Sequence, residues 1–269
     1  MSTDGRISMD RSERFRAMSF NARVDMAEDG TDAWTHRKAA VARVIRLHEP
    51  AVVGCQELLA HQLGDLRAAL PAYEWVGEER GSGDRSSEHV PIGYRPDRFA
   101  LREHDTFWLS EAPEAPGSVG WDAEHPRIAT WARLEDPATG AAFVHLNTHL
   151  DHRGERARGR GADLIVERLG DIAPDVPVLV TGDMNCTPGS PPYERLAGAF
   201  DDAREVSAHG HHGPTDTFHG FTGDPGGRID YVFVDGFAVR QHATLADRWD
   251  DRYPSDHFPV LAELVVEEE

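Results

Sequence analysis

Short apolar runs and segments of helical periodicity follow one another along most of the chain. Residues 14–23 (RFRAMSFNAR) and 51–57 (AVVGCQE) have the length and composition of strands, and the second reads as fully buried. Between them, apolar positions within 40–47 recur in helical phase, which predicts a helix that stops at Pro50. A second helix is expected around 59–70.

The rest of the chain reads mainly as strands joined by loops. Residues 128–135 (IATWARLE) and 141–150 (AAFVHLNTHL) are predicted to pair antiparallel through the turn DPATG. Residues 111–127 and 207–227 are rich in Pro and Gly and predict two long irregular loops. One more helix is expected at about 161–170. Further strands are expected within 73–80, 90–99, 101–110, 176–185, 228–237, 237–245 and 255–266.

About ten strands with a few interposed helices predict an α/β fold in which two stacked sheets are flanked by helices. At 269 residues the chain is long enough to build one large core of this kind. Because we find neither an internal repeat nor a linker, residues 14–269 are predicted to form a single domain. Residues 1–13 are polar and are predicted to be a flexible tail.

Composition narrows the possible partners and the compartment. The formal net charge of -19 disfavours DNA and RNA, because nucleic-acid binders neutralise phosphates with Lys and Arg. Cys55 and Cys186 are too few for a disulfide scaffold, so we expect free thiols. No stretch resembles a signal peptide or a membrane span, so the sequence predicts a cytoplasmic protein without a membrane partner.

Polar side chains recur where the predicted strands end. Any one of them is more often a turn former or a helix cap. Capping alone, however, does not require carboxylates, amides and imidazoles at the ends of five or six strands, and such ends are where layered folds assemble sites. The set comprises Asn21, Glu57, His149, Asp183, Asn185, Asp230, Asp256 and His257.

The types of side chain in this set indicate phosphoryl chemistry. Glu57, Asp256 and the amide oxygen of Asn21 offer hard oxygen ligands, which suit Mg²⁺ or Mn²⁺ and suit zinc poorly. A carboxylate such as Asp183 can orient or deprotonate an attacking water, and an imidazole can support the developing charge. Metal-dependent hydrolysis of a phosphoester is therefore the expected reaction.

Asp230 has two possible partners. It can hold His257 in one tautomer and favour its charged form, which is the role of a buried carboxylate beside a catalytic imidazole. A salt bridge between Asp230 and Arg228 is an equally good interpretation of the sequence alone.

The stretch HLNTHLDH (145–152) superficially resembles a zinc motif. In a strand, His145 and His149 are roughly 13 Å apart, four residues at about 3.3 Å each, so a single zinc ion cannot join them. We therefore expect His145 to be a structural residue of the interior, and His149 and His152 to lie at the rim.

Several short motifs, taken in order, resemble the endonuclease/exonuclease/phosphatase superfamily, which has the fold of DNase I. They are SFN near residue 20, QE at 56–57, NTHLDH at 147–152, TGDMN at 181–185, RIDYVF near 229 and SDHFPV at 255–260. The resemblance covers nearly the whole chain and implies a four-layered α/β sandwich of two stacked mixed sheets. Other strings, such as WLSEAPEAPGSVGWD, resemble a bacterial branch of this superfamily. Where that branch is expected to have an aromatic residue before Tyr94, this chain has Gly93, which is predicted to reshape the pocket wall.

The resemblance also implies individual roles. It implies that a divalent metal, usually Mg²⁺, binds Asn21, Glu57 and Asp256. It implies that Asp183 orients the water with help from Asn185. It further implies that His149 and the pair formed by His257 and Asp230 contact the phosphate, with His152 as an additional contact.

Three functions remain open from the sequence. The first is hydrolysis of a small or carbohydrate-like phosphomonoester or phosphodiester, held between the loops 104–127 and 207–227, with Arg95, Arg127 and Arg153 near the phosphate. The second is a DNA or RNA nuclease, supported by the basic run HRGERARGRG (152–161). The third is a non-catalytic binding module, which the intact set of polar residues disfavours.

Overall fold

Two stacked β-sheets form the centre of the protein in the computed structural model, which describes residues 14–81, 83 and 87–267. In chain order the strands are β1 (Arg14–Asn21), β2 (Val52–Gln56), β3 (Glu74–Val76), β4 (Ile92–Tyr94), β5 (Ala100–Trp108), β6 (Ile128–Glu135), β7 (Ala142–His149), β8 (Val178–Asp183), β9 (Asp201–Asp202), β10 (His211–His212), β11 (Asp230–Asp235), β12 (Phe237–Thr244) and β13 (Val260–Val266). The first sheet has the order β10-β12-β13-β1-β2-β4-β3, and the second has the order β5-β6-β7-β8-β11-β9.

Both sheets are mixed. β1 and β2 run parallel, as do β7 and β8, whereas β13 and β4 are antiparallel to their neighbours in the first sheet. The predicted antiparallel pair of β6 and β7 is confirmed, with Trp131 opposite Leu146. The parallel pairs matter for function, because the ends of parallel strands meet at the same edge of a sheet.

Helices cover the outer face of each sheet. α1 (Trp34–His48) and α2 (Ala60–Ala69) share a hydrophobic cluster with β1 and β2, while α3 (Glu155–Ile172) and α4 (Pro191–Ala197) share one with β7 and β8. A third cluster fills the space between the sheets. The predicted four-layered α/β sandwich is therefore confirmed. Within the described residues, no helix is both long and apolar enough to cross a membrane.

Some elements differ from the sequence-based prediction. α3 begins at Glu155 instead of near residue 161, although its first half contains two glycines, which are poor helix formers. A Cβ atom added at Gly161 would lie 3.3 Å from Leu150, so glycine allows this helix to pack closely on the sheet. The pattern did not indicate α4, which has only seven residues. The tail predicted at 1–13 lies outside the described residues.

Strand alternation decides which side chains reach the space between the sheets. In β1, Met18 and Phe20 pack against the helices, whereas Ser19 and Asn21 alternate with them and are also buried. The same alternation in β8 places Val180 on the helix side and Thr181 between the sheets. The interior between the sheets is therefore apolar at one end and polar toward the rim where β1 and β8 terminate.

Hydrogen bonds between buried polar side chains join the two sheets. Gln56 Nε2 donates to Asn147 Oδ1 at 2.7 Å, and Thr181 Oγ1 donates to the same oxygen at 3.1 Å. Asn147 Nδ2 in turn donates to two main-chain carbonyls on the side of the first sheet, at 2.8 and 2.9 Å. His145 Nε2 lies 2.8 Å from Thr181 Oγ1 and completes this set. We call Gln56, Asn147, Thr181 and His145 the polar seam.

Gly54 lies directly beneath the polar seam. A Cβ atom at this position would be 2.1 Å from Thr181 Oγ1 and 2.4 Å from Asn147 Oδ1. Both distances are far below van der Waals contact, so any side chain here would separate hydrogen-bonded partners that are themselves buried. Glycine is required by the close approach of the sheets.

Gly54→Ala is therefore expected to lower the free energy of unfolding by about 3 kcal/mol, because it overpacks the interior and disturbs buried hydrogen bonds. Gly64→Ala is the matched control, since an added Cβ in α2 meets nothing within 4 Å. The control is expected to be stabilised by up to about 1 kcal/mol. Urea unfolding of both variants measures the effect, and equal stability of the two would contradict this account of the sheet contact.

The buried imidazole of His145 predicts a pH dependence of stability. Burial lowers the pKa of His145 to about 3, so the folded protein keeps this ring neutral. The unfolded chain takes up a proton below about pH 6.5, and the stabilising effect of the neutral ring is lost as the pH falls below that value. Between pH 7.5 and pH 5 this single group is expected to remove about 2 kcal/mol of stability.

His145→Gln removes the titrating group, so its loss of stability between pH 7.5 and pH 5 is expected to be smaller than that of the wild type by about this amount. His104→Gln, at an exposed position in β5, is the control and is expected to behave like the wild type. Urea titrations at the two pH values provide the measurement. A pH dependence that is unchanged in His145→Gln would exclude His145 as its source.

Candidate active site

The ends of five strands bring polar side chains to one rim of the sandwich. In the second sheet, Asp183 at the end of β8 lies opposite His149 of β7 and Asp230 of β11 in the strand register. In the first sheet, Asn21 ends β1, and Glu57 follows the parallel strand β2. The Asn21 side chain bridges the two groups, so the predicted clustering of strand-end residues is observed.

Asp183 is at the centre of this group and is only 1% exposed. Its Oδ2 atom accepts a hydrogen bond from Asn21 Nδ2 at 2.9 Å, and its Oδ1 atom accepts one from the Asn185 main-chain N–H at 2.9 Å. Burial and the nearby charge of Asp230 raise the pKa of Asp183. A carboxylate with a raised pKa can accept a proton near neutral pH, as a general base must.

His257 and Asp230 form a buried pair. His257 Nδ1 lies 2.8 Å from Asp230 Oδ2, and His257 Nε2 lies 3.8 Å from Asp183 Oδ2. Burial alone would lower the pKa of His257, but the charge and hydrogen bond of Asp230 and the charge of Asp183 outweigh it and raise that pKa to about 10. The imidazole therefore carries a positive charge at neutral pH. Arg228, the other partner considered for Asp230, pairs instead with Asp202 and Glu205.

His149 lies on the other side of Asp183, with Nε2 at 3.5 Å from Asp183 Oδ2. Asn185 Nδ2 donates to His149 Nε2 at 3.0 Å and to the Leu150 carbonyl at 2.9 Å. Burial lowers the pKa of His149, and the charges of two nearby arginines lower it further. His149 is thus a neutral imidazole whose orientation is fixed by Asn185.

The predicted metal ligands lie near one another but not all as expected. Asn21 directs Nδ2, not Oδ1, toward Glu57 and Asp183, because Oδ1 accepts the Arg23 main-chain N–H at 3.0 Å. Asp256 pairs with Arg23, whose Nε atom is 3.7 Å from Asp256 Oδ2. Asn21 can offer its oxygen to a metal only after its amide rotates.

The side chains nevertheless suit a hard divalent cation. Ligand atoms of Glu57, His149 and Asp183 all lie within 4.8 Å of one another. Asp230 Oδ1 is buried without a hydrogen-bond partner among the described residues. Carboxylate oxygens grouped in this way are the ligands that Mg²⁺ and Mn²⁺ prefer. Glu57 is the strongest candidate ligand.

Three residues of the site adopt left-handed backbone conformations. The φ angle is 64° at Glu57, 58° at Arg23 and 47° at Asn185. Asn adopts this conformation readily, whereas for Glu and Arg it costs free energy. Side-chain hydrogen bonds hold both: Glu57 Oε2 accepts the Val24 N–H at 3.0 Å, and Arg23 binds Asp29. Within the site, backbone strain therefore lies beside the predicted metal ligands Glu57 and Asp256.

Arg37 is a positioning residue that the sequence did not reveal. Its guanidinium, only 2% exposed, donates to the carbonyls of Ala22 and Pro254, which belong to the loops that carry Arg23 and Asp256. Arg37 thereby ties together two loops at the metal side. In the sequence it appears among charged residues of a predicted helix, which usually indicate a solvated face.

The predicted phosphate-binding arginines lie in different places. Arg95 lies at the opposite edge of the first sheet from Glu57, because β4 runs antiparallel to β2, and Arg95 pairs there with Asp97. Arg127 is buried next to the site, where Nε contacts Asp151 and Nη2 contacts His152. The prediction that Arg95 lies near the phosphate is therefore wrong, whereas Arg127 lies beside the rim.

The remaining predicted residues occupy the rim and the interior. His152 is half-exposed and pairs with Glu124 at 3.0 Å, and Arg153 pairs with the same carboxylate at 3.0 Å. His145 lies in the polar seam, away from the rim, as expected. Gly93 does not shape the pocket: an added Cβ would lie 2.9 Å from the Trp75 ring, on the helix side of the first sheet.

A comparison with protein families gives this arrangement its context. The model of the Endonuclease/Exonuclease/phosphatase family matches residues 18–257. The chain belongs to this family. Members of the family hydrolyse phosphoester bonds, so the chain is a phosphoric ester hydrolase.

Two solved bacterial structures of the endonuclease/exonuclease/phosphatase family align over nearly the whole chain. The family member from Bacteroides vulgatus is 39% identical, covers 94% of this chain and 99% of its own, and has a TM-score of 0.90. A mannosyl-6-phosphatase from Bacteroides thetaiotaomicron is 34% identical, covers 93% of this chain and 99% of its own, and has a TM-score of 0.88.

Nocturnin of Drosophila melanogaster is 26% identical over 179 residues, which span 61% of this chain but only 26% of nocturnin.

Glu57→Gln is expected to weaken Mg²⁺ binding at least about tenfold, because it removes a charged oxygen ligand but keeps the size of the side chain. His145→Ala is the control: it leaves the hydrogen bonds of Gln56 and Thr181 to Asn147 in place, so the variant is expected to bind Mg²⁺ nearly as well as the wild type. Isothermal calorimetry of the folded variants measures both. An equal loss of binding in the two variants would favour a histidine metal site instead.

Proposed function

We propose that the protein is a Mg²⁺- or Mn²⁺-dependent hydrolase of a small phosphorylated substrate. The favoured substrate is a carbohydrate-like phosphomonoester. The observation that supports this most directly is the buried group of Asp183, His149, Asp230 and His257, in which one carboxylate lies between a neutral and a charged imidazole. This arrangement provides both a proton acceptor and a fixed positive charge. Phosphoester hydrolysis requires both.

In this proposal Asp183 orients the attacking water and accepts its proton. Its two hydrogen bonds from Asn21 and Asn185 fix the carboxylate, and its raised pKa makes it a competent base near neutral pH. The proposed proton acceptor therefore lies beside the phosphate, which is proposed to bind between the imidazoles.

The imidazoles support the charge on the phosphate. His257, held and kept protonated by Asp230, places a positive charge near the phosphorus and stabilises the oxygens as negative charge accumulates. His149, kept neutral by burial and oriented by Asn185, is proposed to contact a phosphate oxygen. Asp230 and Asn185 act through these imidazoles and are positioning residues.

Glu57 is the residue proposed to hold the divalent metal, with Asp256 and the oxygen of Asn21 as further ligands. A bound Mg²⁺ or Mn²⁺ supplies Lewis acidity and neutralises phosphate charge. The hydrogen bonds of Glu57 to Asn21 and to the Val24 N–H keep its carboxylate directed at the rim. Arg23 contributes positive charge on the same side, near Asp256.

A small substrate is favoured over a polymer by charge and by similarity. The formal net charge of -19 opposes the approach of a polyanion. One solved relative, 34% identical over nearly the full chain, is a mannosyl-6-phosphatase. Both observations favour a compact phosphorylated sugar or polyol.

Nucleic-acid cleavage is the alternative, and one structural feature favours it. The basic run of the sequence forms the start of α3 and lines a cavity of about 580 Å³ that reaches Asn185. Arg195 and Arg160 in this cavity both pair with Asp163, and Arg158 donates to the carbonyl of Asp151. Because these arginines already have partners in the protein, the cavity offers less free positive charge to a nucleic-acid phosphate than the sequence suggests.

Turnover of a substrate panel tests the proposal, with Asp183→Asn as the key variant. We expect the wild type with Mg²⁺ or Mn²⁺ to hydrolyse sugar phosphates faster than single-stranded RNA or plasmid DNA. Asp183→Asn is expected to reduce kcat by at least about a hundredfold, since it removes the general base. Asp235→Asn, at the exposed far end of β11, is the matched control.

Two outcomes would contradict the proposal. Full activity of Asp183→Asn would remove the proposed base from the mechanism. Faster cleavage of RNA or DNA than of every small phosphate, with a steep dependence on salt, would establish the nuclease alternative instead.

A further inference from the structure

Phe218 is a large aromatic side chain that remains exposed beside the proposed reaction centre. It is 39% exposed, and its ring centroid lies 5.0 Å from that of His257 with the rings inclined at 64°. The other large hydrophobic side chains that are exposed in the described part of the chain are aliphatic: Met26, Leu47, Val119 and Val206. Phe218 therefore presents an exposed aromatic face directly beside the buried imidazole of His257.

The backbone holds Phe218 in a fixed position relative to the site. Phe218 forms antiparallel bridges with both Gly227 and His257, and its N–H donates to the Gly227 carbonyl at 3.0 Å. The preceding side chain, Thr217, accepts a hydrogen bond at Oγ1 from the Asp230 N–H at 3.1 Å. The loop 207–227 is therefore anchored to both members of the His257–Asp230 pair where it carries this ring.

The charge around the ring argues for a compact partner. Residues 213–227 contain two aspartates, Asp216 and Asp224, and neither Lys nor Arg. Arg228, which follows, is buried and paired with Asp202. A nucleic-acid strand that stacked a base on Phe218 would place its neighbouring phosphates near these carboxylates, which would repel them. A single uncharged ring meets no such repulsion.

We propose that Phe218 is a specificity-determining residue whose exposed ring packs against the sugar ring of a phosphorylated monosaccharide, while the phosphate lies at Asp183 and His257. The proposal rests on the proposed function and assigns its substrate class. The C–H groups on one face of a pyranose carry slight positive charge and suit the negative face of an aromatic ring. Because the backbone already fixes Phe218, little conformational freedom is lost when a sugar binds.

The test measures binding in Asp183→Asn protein saturated with Mg²⁺, so that the ligand survives the measurement. Mannose 6-phosphate and glycerol 3-phosphate are both phosphates of primary alcohols, but only the first has a sugar ring. Adding Phe218→Ala is expected to raise the Kd of mannose 6-phosphate, relative to that of glycerol 3-phosphate, by about tenfold. Phe218→Tyr is expected to restore most of the difference. Leu47→Ala, an exposed position on α1, is the control.

Each outcome decides the proposal. An equal loss for both ligands would mean that Phe218 acts through His257 or the phosphate, and would overturn the assignment. Absence of mannose 6-phosphate binding to the parent protein would overturn it as well, as would a larger effect of Phe218→Ala on a 5′-phosphorylated dinucleotide. Ring-dependent binding of mannose 6-phosphate that the wild type does not hydrolyse would support the role of Phe218 and contradict the proposed function.

Discussion

The contact between the two sheets at Gly54 and the polar seam is the constraint on which the rest of the structure depends. The missing side chain of Gly54 lets Asn147 and Thr181 of the second sheet approach the first sheet closely enough for hydrogen bonds. Buried polar groups that are matched in this way fix one relative position of the sheets, because a shift would leave several of them unpaired. Apolar contacts alone tolerate sliding more readily.

That fixed position determines the geometry of the site. The site begins where the polar seam ends: His149 and Asp183 follow Asn147 and Thr181 by two residues on the same strand faces, while Glu57 comes directly after Gln56, the last residue of β2. Since strand alternation repeats every two residues, His149 and Asp183 belong to the same rows as the seam residues of β7 and β8. Precise placement of Asn21 between Glu57 and Asp183 is a consequence of the packing deeper in the interior.

The sequence was sufficient to predict much of this arrangement, because chemistry and periodicity both leave a pattern. The polar residues at strand ends and the structural position of His145 were accessible from alternation and residue type. The pairing of His257 with Asp230 was not, because Arg228 was an equally good partner and only the family resemblance implied the pair. The prediction that Arg95 lies near the phosphate was wrong, because the position of Arg95 depends on the direction of β4, which the residue pattern does not encode.

The residues that the sequence missed act through the main chain. Arg37 donates to carbonyls, and every residue has a carbonyl, so no particular partner residue marks its role. The orientation of the Asn21 amide is likewise set by a main-chain group, the Arg23 N–H. In the sequence, nothing distinguishes Phe218 from other residues of an irregular loop, since its exposed position depends on bridges to residues 227 and 257. Roles that arise from contacts with the main chain thus require the folded structure.

The balance of charge within the site follows from these same placements. Glu57, Asp183, Asp230 and Asp256 are largely buried, and isolated carboxylates in such surroundings would be costly. His257, kept protonated, lies between Asp183 and Asp230, and Arg23 lies beside Asp256, so the protein supplies positive charge of its own to the group. His257 is held by a buried hydrogen bond, whereas the Arg23 side chain is 29% exposed and has Asp29 as a second partner. The positive charge on the side of Asp230 is therefore a fixed part of the fold, and the charge on the side of Glu57 is the more adaptable one. A divalent cation has most to contribute on that side, where Arg23, the cation beside Glu57 and Asp256, is itself paired with Asp29.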